Sequence, residues 1–516
     1  MKRIYLFLLL LVSLALGLCS CKKDFIALTP KDAYTADNFY KTEQQFESAL
    51  VAAYAPLRDV LVNDYFTSEM HSDNTLYQPV GSNVGTAYVY RENISDFMNT
   101  SVNSYANATW QHSYTGISRC NIIIQSLPDA AIADSLKKNI DGQAKFLRAQ
   151  NYFKLVRLYG ALPLFLKVVA KADDAFIPRT SVDSVYAQII SDAGDAVSEL
   201  APPAKFPQTG VATKGSATML LADVYATQKK WGEVEKLLKT LPAMGYALNT
   251  QYADAFDPAN KNSKESLFEV QYLGGDMTGA TPNVLSIHFI PRSTDTKLLT
   301  GIVINNTGSG GWNTPTKDLI ASFEPGDARL DASIGIIEGV YDGSDYLKYT
   351  TVKAIADSTP AAGTTDVPYI KKYLHSPLPA TTGSSDDFPI YRYSEALLLL
   401  SESLNEQGRG AEALIPLNSV RARAGLGLVT ETNQSSLRKI IFHERRVELA
   451  FENHRWEDLL REGDAVSVIN KVGESIKADA PYTPAGGYKI DAHNLLFPVP
   501  QTDLDLNTLL TQNPGY

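Results

Sequence analysis

The stretch HERRVELAFENHRWEDL, His443 to Leu459, is dense in ionisable side chains and opens with the His-Glu pair that begins many zinc-protease helices. Such a site needs two histidines four residues apart, so that both imidazoles reach one zinc from one helical face. Val447 stands where the second histidine belongs, and His454 lies on a different turn. Acid/base catalysis would instead need two carboxylates facing a cleft about 5 to 9.5 Å apart. Glu444, Glu448 and Glu452 form one stripe with that rise. Arg445, Arg446 and Arg455 are interleaved with them, however, and a neighbouring guanidinium lowers a carboxyl pKa, the wrong direction for a general acid. With Val447, Phe451 and Trp456 on an apolar side, the stretch reads as a scaffold helix whose pairs are Arg445 with Glu448 and Glu452 with Arg455, at i,i+3 spacing. Neither a metal nor a cofactor is expected, and no catalytic residue is assigned.

The other candidate for reactivity is thiol chemistry. Cys120 lies in the apolar run Ile117-Ser-Arg-Cys-Asn-Ile-Ile-Ile and is expected to be buried and inert. Leu18-Cys19-Ser20-Cys21 resembles a bacterial lipobox, in which the last cysteine is lipidated and becomes the first mature residue. Lys2 and Arg3 followed by the uncharged run Ile4 to Leu18 supply the leader. Residues 1–20 are therefore expected to be a lipoprotein signal peptide, Cys21 the membrane anchor, and 21–41 a tether. No intrachain disulfide is then possible. The formal charge of -10, with no basic stripe, argues against nucleic acid as a partner. The Asp-rich turn Ser384-Ser-Asp-Asp387 reads as solvated rather than as a calcium loop.

Helical periodicity governs much of the remaining chain. Thr42 to Gln45 fits a capping box, followed by Phe46, Leu50, Tyr54 and Leu57 at helical spacing. Gln143 to Tyr159 reads as a second helix stopped by Gly160. Ser216 to Gln228 with Trp231 to Leu241, and Tyr391 to Glu406 with Gly410 to Ala424, read as two tetratricopeptide-like hairpins. Residues 63–95, 244–315 and 340–390 carry no such period and hold much of the tyrosine. Leu267 to Tyr272 is a short β-type run within them, and Tyr88 and Tyr90 alternate as a strand would. Trp110 and Tyr114, at i,i+4 on a helix, read as core.

ERRVELAFENHRWEDLLREG resembles the signature of the RagB/SusD family of Bacteroidetes outer-membrane lipoproteins. Four further stretches agree in family order: LRAQNYFKLVRLYGALPLF, GWNTPTKDLIASFEPGDARL, YRYSEALLLLSESLN and LLFPVPQTDLDLNTLLTQNPGY. The resemblance spans nearly the whole mature chain. It implies a mainly α fold: a curved α-α superhelix of tetratricopeptide-like hairpins with projecting loops and small β elements. That domain would run over 42–516, with a mostly helical part at 42–243, a loop-rich insertion at 244–390 and a helical part at 391–516.

The resemblance also implies a non-catalytic, lipid-anchored protein on the cell exterior. It would capture oligosaccharide and hand it to a SusC-like TonB-dependent transporter in the outer membrane. The charged CKKDF after the lipidation point resembles the export tags of such proteins. A peptide-capturing relative and a surface glycan hydrolase are the alternatives. A sugar offers apolar C–H faces rimmed by hydroxyls, so its site needs aromatic planes with amide, carboxylate or guanidinium partners. The 70–93 loop offers Asp73, Asn74, Tyr77, Gln78, Tyr88 and Tyr90; the middle insertion offers Tyr272, Arg292 and Trp312. Trp312 belongs to a family-wide stretch, which argues for structural packing.

Overall fold

The computed structural model describes residues 39–78, 85–343, 346–480 and 483–516. The leader, Cys21 and the tether up to Asn38 lie outside the described residues, as do 79–84 of the candidate loop.

The first helix, α1 (Glu43–Tyr54), starts on the expected capping box: the Thr42 hydroxyl accepts the Gln45 N–H, and the Gln45 side chain accepts the Thr42 N–H at 3.1 Å. Pro56 then opens a separate helix, α2 (Pro56–Thr67), so the period that sequence carried through to Leu57 is broken at Ala55. There follow α3 (Thr86–Ser95), α4 (Ser104–Ser126), α5 (Asp134–Tyr159), α6 (Val182–Glu199), α7 (Lys214–Thr227) and α8 (Trp231–Leu238). The C-terminal part holds α9 (Tyr393–Glu406), α10 (Gly410–Arg423), α11 (Gln434–Glu448), α12 (Arg455–Glu462) and α13 (Ala465–Asp479). Neighbours in sequence pack on one another from α4 through α8; α8 then packs on α9, and α9 on α10 and α11. This is the expected mainly α superhelix of hairpins.

Helix α3 corrects the strand reading of Tyr88 and Tyr90 and the view that 63–95 is non-helical. Two aromatic residues one apart satisfy either period. The i,i+3 pair Tyr88 and Arg91 settles it, because only a helix brings that guanidinium to 4.7 Å from the Tyr88 ring centre.

The strands are β1 (Thr75–Leu76), β2 (Ser266–Val270), β3 (Thr314–Pro315), β4 (Ile334–Tyr341), β5 (Leu347–Lys353), β6 (Thr365–Ile370) and β7 (Phe388–Arg392). β1 pairs antiparallel with β3, β2 with β7, and β4 lies between β5 and β6. Most of them belong to the loop-rich middle, where β2 matches the predicted β run. The β4–β5–β6 sheet buries Ile337, Leu347 and Tyr369 against Ile290 and Leu299, which fixes the 290–299 segment beside the β4–β5 hairpin.

The charged signature stretch is scaffolding, with different partners from those expected. α11 ends at Glu448; Phe451 and Asn453 take positive φ, and a new helix begins at Arg455, so Glu452 is on no helical stripe. Arg445 pairs with Asp458 at 2.9 Å and Arg455 with Asp73 at 2.7 Å, instead of at i,i+3. Glu448 faces Arg329, Arg392 and Arg423, and Glu452 faces Arg392 and Lys372. The turn after α11 reorients these side chains inward, where a buried charge requires a partner. Burial works against ionisation of Glu448, yet the three guanidinium groups hold its carboxyl below the usual range.

The Ser384–Asp387 turn is also corrected: it is buried rather than solvated, with Asp386 on His375 and Asp387 on Lys261 at 2.8 Å. Cys120 is fully buried, and burial pushes its thiol up to about 12. Trp110 is buried as expected, its Nε1 donating to Asp503 at 3.1 Å.

Candidate functional site

The β1–β3 ladder sets Thr75 opposite Pro315 and Leu76 opposite Thr314, which carries the 73–78 segment onto the 311–316 segment. Asp73 and Asn74 are locked beneath it. Asp73 is 1% exposed, with its two carboxylate oxygens on Arg455 at 2.7 and 2.9 Å. Burial would raise its pKa, but Arg455 and Arg446 together bring it down to about 2. Asn74 donates to Glu69 at 2.7 Å and accepts from Arg446 at 2.9 Å. Both side chains thus hold the loop in place from inside.

Tyr77 belongs to an aromatic cluster. Its centre is Arg91 on α3, whose guanidinium carbon lies 4.4 Å from the Trp312 ring, 4.7 Å from Tyr88, 5.2 Å from Tyr105 and 5.3 Å from Tyr77. Arg91 Nε donates to the Tyr77 hydroxyl at 3.1 Å and Nη1 donates to the Tyr105 hydroxyl. Each desolvated cation–π contact is worth about 0.5 to 2 kcal/mol, so one side chain orients four rings. Trp312 is 9% exposed and also lies 4.1 Å from His288 and 5.8 Å from Phe66. Burial, with Arg91 adding to it, lowers the His288 pKa to about 3, so that imidazole is neutral. Arg292 flanks Tyr77 from another side, 5.1 Å from its ring.

From this cluster the surface opens. Gln78 is half-buried; its N–H donates to the Gly311 carbonyl at 2.9 Å and its Nε2 to the Tyr341 hydroxyl at 3.1 Å. Tyr341 ends β4 and is 39% exposed, and Tyr346 precedes β5 across the hairpin tip. Leu347 N–H donates to the Arg292 carbonyl at 2.8 Å, tying the hairpin to the 292–298 segment. Between them lies a cleft of about 250 Å³ walled by Ser293, Asp295, Lys297, Asp342, Tyr346 and Lys348. It combines an aromatic plane with two carboxylates and two ammonium groups, the donor and acceptor mixture that hydroxyl rims require.

Of the sequence candidates, Tyr77, Gln78, Tyr88, Arg292 and Trp312 therefore converge around Arg91 and the cleft edge. Tyr90 is half-buried two residues beyond Tyr88 on α3, its carbonyl accepting from Asn103 at 2.8 Å. Tyr272 is separate: it is buried beside the β2–β7 pair, its N–H on Asp387 at 2.8 Å and its carbonyl on Lys261 at 2.7 Å. A larger groove of about 420 Å³ is walled by Phe165, Val169, Phe176 and Leu506 together with the polar Gln111, Asn121, Lys167 and Asp503, and none of the sequence candidates lines it. Among the described residues no group of three or more His, Cys, Asp or Glu side chains is placed to hold a metal ion.

Comparison with known proteins decides the family. A model described as the SusD family matches residues 250–516, and one described as starch-binding, associating with outer membrane, matches 26–225. The chain belongs to the SusD family. A SusD-like protein of Formosa agariphila is 26% identical over 94% of this chain and 95% of its own. The starch-binding protein SusD of Bacteroides thetaiotaomicron is 23% identical over 78% and 76%. A solved laminarin-binding SusD-like protein superposes with a TM-score of 0.72 at 24% identity, covering 92% of this chain and all of the other.

On this SusD-family fold the residues that sequence reasoning missed are Arg91, Tyr105, Tyr341, Tyr346 and the cleft walls at Asp295 and Lys297. A signal for the hairpin tip was present. The sequence Tyr-Asp-Gly-Ser-Asp-Tyr, 341–346, has glycine-bearing turn composition flanked by tyrosines between two β-rich runs. Arg91 had only the i,i+3 tyrosine at 88, because its other three rings, Tyr77, Tyr105 and Trp312, come from separate segments.

Proposed function

We propose that this SusD-family protein is a non-catalytic, lipid-anchored receptor on the cell exterior, one that binds oligosaccharide at the β4–β5 hairpin cleft. It passes the sugar to a SusC-like TonB-dependent transporter in the outer membrane. The observation that carries this reading is the exposed Tyr341 held by Gln78 at the end of β4, next in sequence to Asp342 of a cleft with Tyr346 and charged walls. Tyr341, Tyr346 and Tyr88 serve as platforms, Gln78, Asp295 and Lys348 as hydrogen-bonding partners, and Asp73 and Asn74 as the support beneath. Membership in a family with a starch-binding, outer-membrane description supports the ligand class and the location.

Covering about 50 Å² of sugar on one ring is worth roughly 1 kcal/mol. Two or three platforms with hydrogen bonds then give about micromolar to millimolar affinity. Docking on a transporter raises the effective concentration of a ligand held that weakly.

Calorimetric titration with an oligosaccharide panel tests the reading. Tyr341→Ala and Tyr346→Ala are each expected to weaken binding about 5- to 20-fold, equivalent to about 1 to 2 kcal/mol. Binding unchanged in both variants, or displacement of the sugar by a peptide library at lower concentration, would remove the proposal. The same incubations test catalysis, since Asp295 and Asp342 are the cleft's carboxylates. Intact sugar after prolonged incubation is expected, whereas products abolished by Asp295→Asn would make the protein a hydrolase.

A further inference from the structure

The groove of about 420 Å³ is built by segments that the hairpin cleft does not use. Its floor is one side of α4, at Trp110, Tyr114, Ile117 and Asn121. Trp110 Nε1 donates to Asp503 at 3.1 Å, the Tyr114 hydroxyl to the Pro163 carbonyl at 2.9 Å, and Asn121 Nδ2 to the Phe165 carbonyl at 2.9 Å. Both walls are thereby pinned to the helix, and they meet where Asn507 Nδ2 donates to the Ile177 carbonyl at 2.9 Å. A groove held open in this way loses little conformational freedom when it is filled.

Its apolar lining reaches the surface. Leu506 is 75% exposed, Val169 45% and Phe176 43%, with exposed Leu166 and Leu509 in the same two segments. Large apolar side chains gathered in one exposed place mark a contact surface. The layout of the charges indicates the partner. The charged side chains lining the groove are Lys167 and Asp503, and neither has an ion-pair partner among the described residues. They stand at opposite ends: the Lys167 segment is bonded at Asn121 and Asp503 at Trp110, about 16 Å apart along α4. Leu506 and Phe176 belong to the Asp503 end, since Asn507 bonds Ile177. Val169 belongs to the Lys167 end, since the Val168 N–H donates to Gln125 at 3.1 Å.

A two-fold axis that crosses the groove midway, near Tyr114, exchanges those ends. It sets Lys167 of each copy against Asp503 of the other, and Leu506 and Phe176 of each against Val169 of the other. An isologous contact requires this self-complementarity of charge and of apolar surface. We infer that the groove is a homodimer interface whose occupant is a second copy of this chain. Pairing of this kind is independent of what the hairpin cleft binds. A dimer nevertheless carries two such clefts, and a glycan long enough to engage both is held at a higher effective concentration.

The test is sedimentation equilibrium of the chain from residue 22 onward, which keeps every described residue, in buffer without detergent. Dimers are expected to form at about micromolar concentration. Leu506→Asp should weaken the pairing at least about tenfold. Lys167→Glu, which sets like charges together at both ends, should weaken it about tenfold as well. Adding Asp503→Asn, which keeps an oxygen for Trp110, should then recover part of that loss, a gain that only contact between copies explains. Cysteine cross-linking reads the geometry directly, because Cys120 is buried and leaves the introduced thiols as the accessible ones. Copies carrying Val169→Cys mixed with copies carrying Leu506→Cys should join by a disulfide, and neither variant alone should. A parent that stays monomeric up to about 100 μM, a dimer indifferent to Leu506→Asp and Lys167→Glu, or cross-links in the single variants without any in the mixture overturns the inference. A monomeric parent that binds phosphatidylethanolamine vesicles, and releases them in Leu506→Asp, likewise overturns it and gives the groove to lipid.

Discussion

Arg455 shows how a single side chain supports the site without touching it. It closes on both oxygens of Asp73, and Asp73 anchors the segment leading to Tyr77 and Gln78. Arg455→Met leaves a buried carboxylate with Arg446 alone, at an expected cost of about 3 to 5 kcal/mol, read as a lower urea midpoint. The pH dependence has a definite sign. Asp73 titrates at about 2 in the folded chain against about 3.9 unfolded, so its pairing stabilises above about pH 4 and is lost as pH falls to about 2. The gap between parent and variant should close across that window; a gap of constant size would mean that the ion pair is not its source. Sequence marked this stretch as paired charges, and its arginines and carboxylates are indeed paired. It could not name the partners. Asp73 is 382 positions from Arg455, and nothing local encodes such a pairing.

At the scale of elements, the long helices were legible because their period, caps and stops are local. The Thr42 box, the Gly160 stop and the two hairpins all fall within a few residues of their expected places. What failed was short or bent: α3 was too brief for its period to outweigh alternating tyrosines, and the helix break after Glu448 depends on positive φ at Phe451 and Asn453, two residues without glycine's signal. Gly160 gives the prediction that belongs here. It ends α5 at φ +72°, and a Cβ added there would meet Leu496 at 3.1 Å. Gly160→Ala should cost about 1 to 3 kcal/mol, seen in urea unfolding, with sugar affinity unchanged because α5 lines no part of the cleft. A variant as stable as the parent would show that the 496 segment yields at no cost.

Over the whole molecule, buried carboxyls of opposite character set the pH at which the fold is firmest. Asp73, Glu448 and Asp458 are ionised against their burial by neighbouring guanidinium groups and favour the folded state above about pH 4. Glu269 and Glu395 act the other way. Burial, with Asp387 adding to it, lifts Glu269 to about 7, and burial likewise raises Glu395 despite His454 and Arg445 nearby. Between about pH 4.3 and 7 an unfolded chain releases the Glu269 proton while the folded chain retains it. Stability therefore falls there by about 1.4 kcal/mol per pH unit for that group and levels off above 7. Glu269→Gln removes the titration yet keeps an oxygen for the Asn262 N–H, now 3.1 Å from the carboxylate. Parent and variant should melt together near pH 4, and the variant should melt higher by pH 7.5, its advantage opening across the interval between. Melting curves that stay parallel from pH 4 to 7.5 would place the Glu269 proton elsewhere and leave the acid-side optimum of the fold to Glu395.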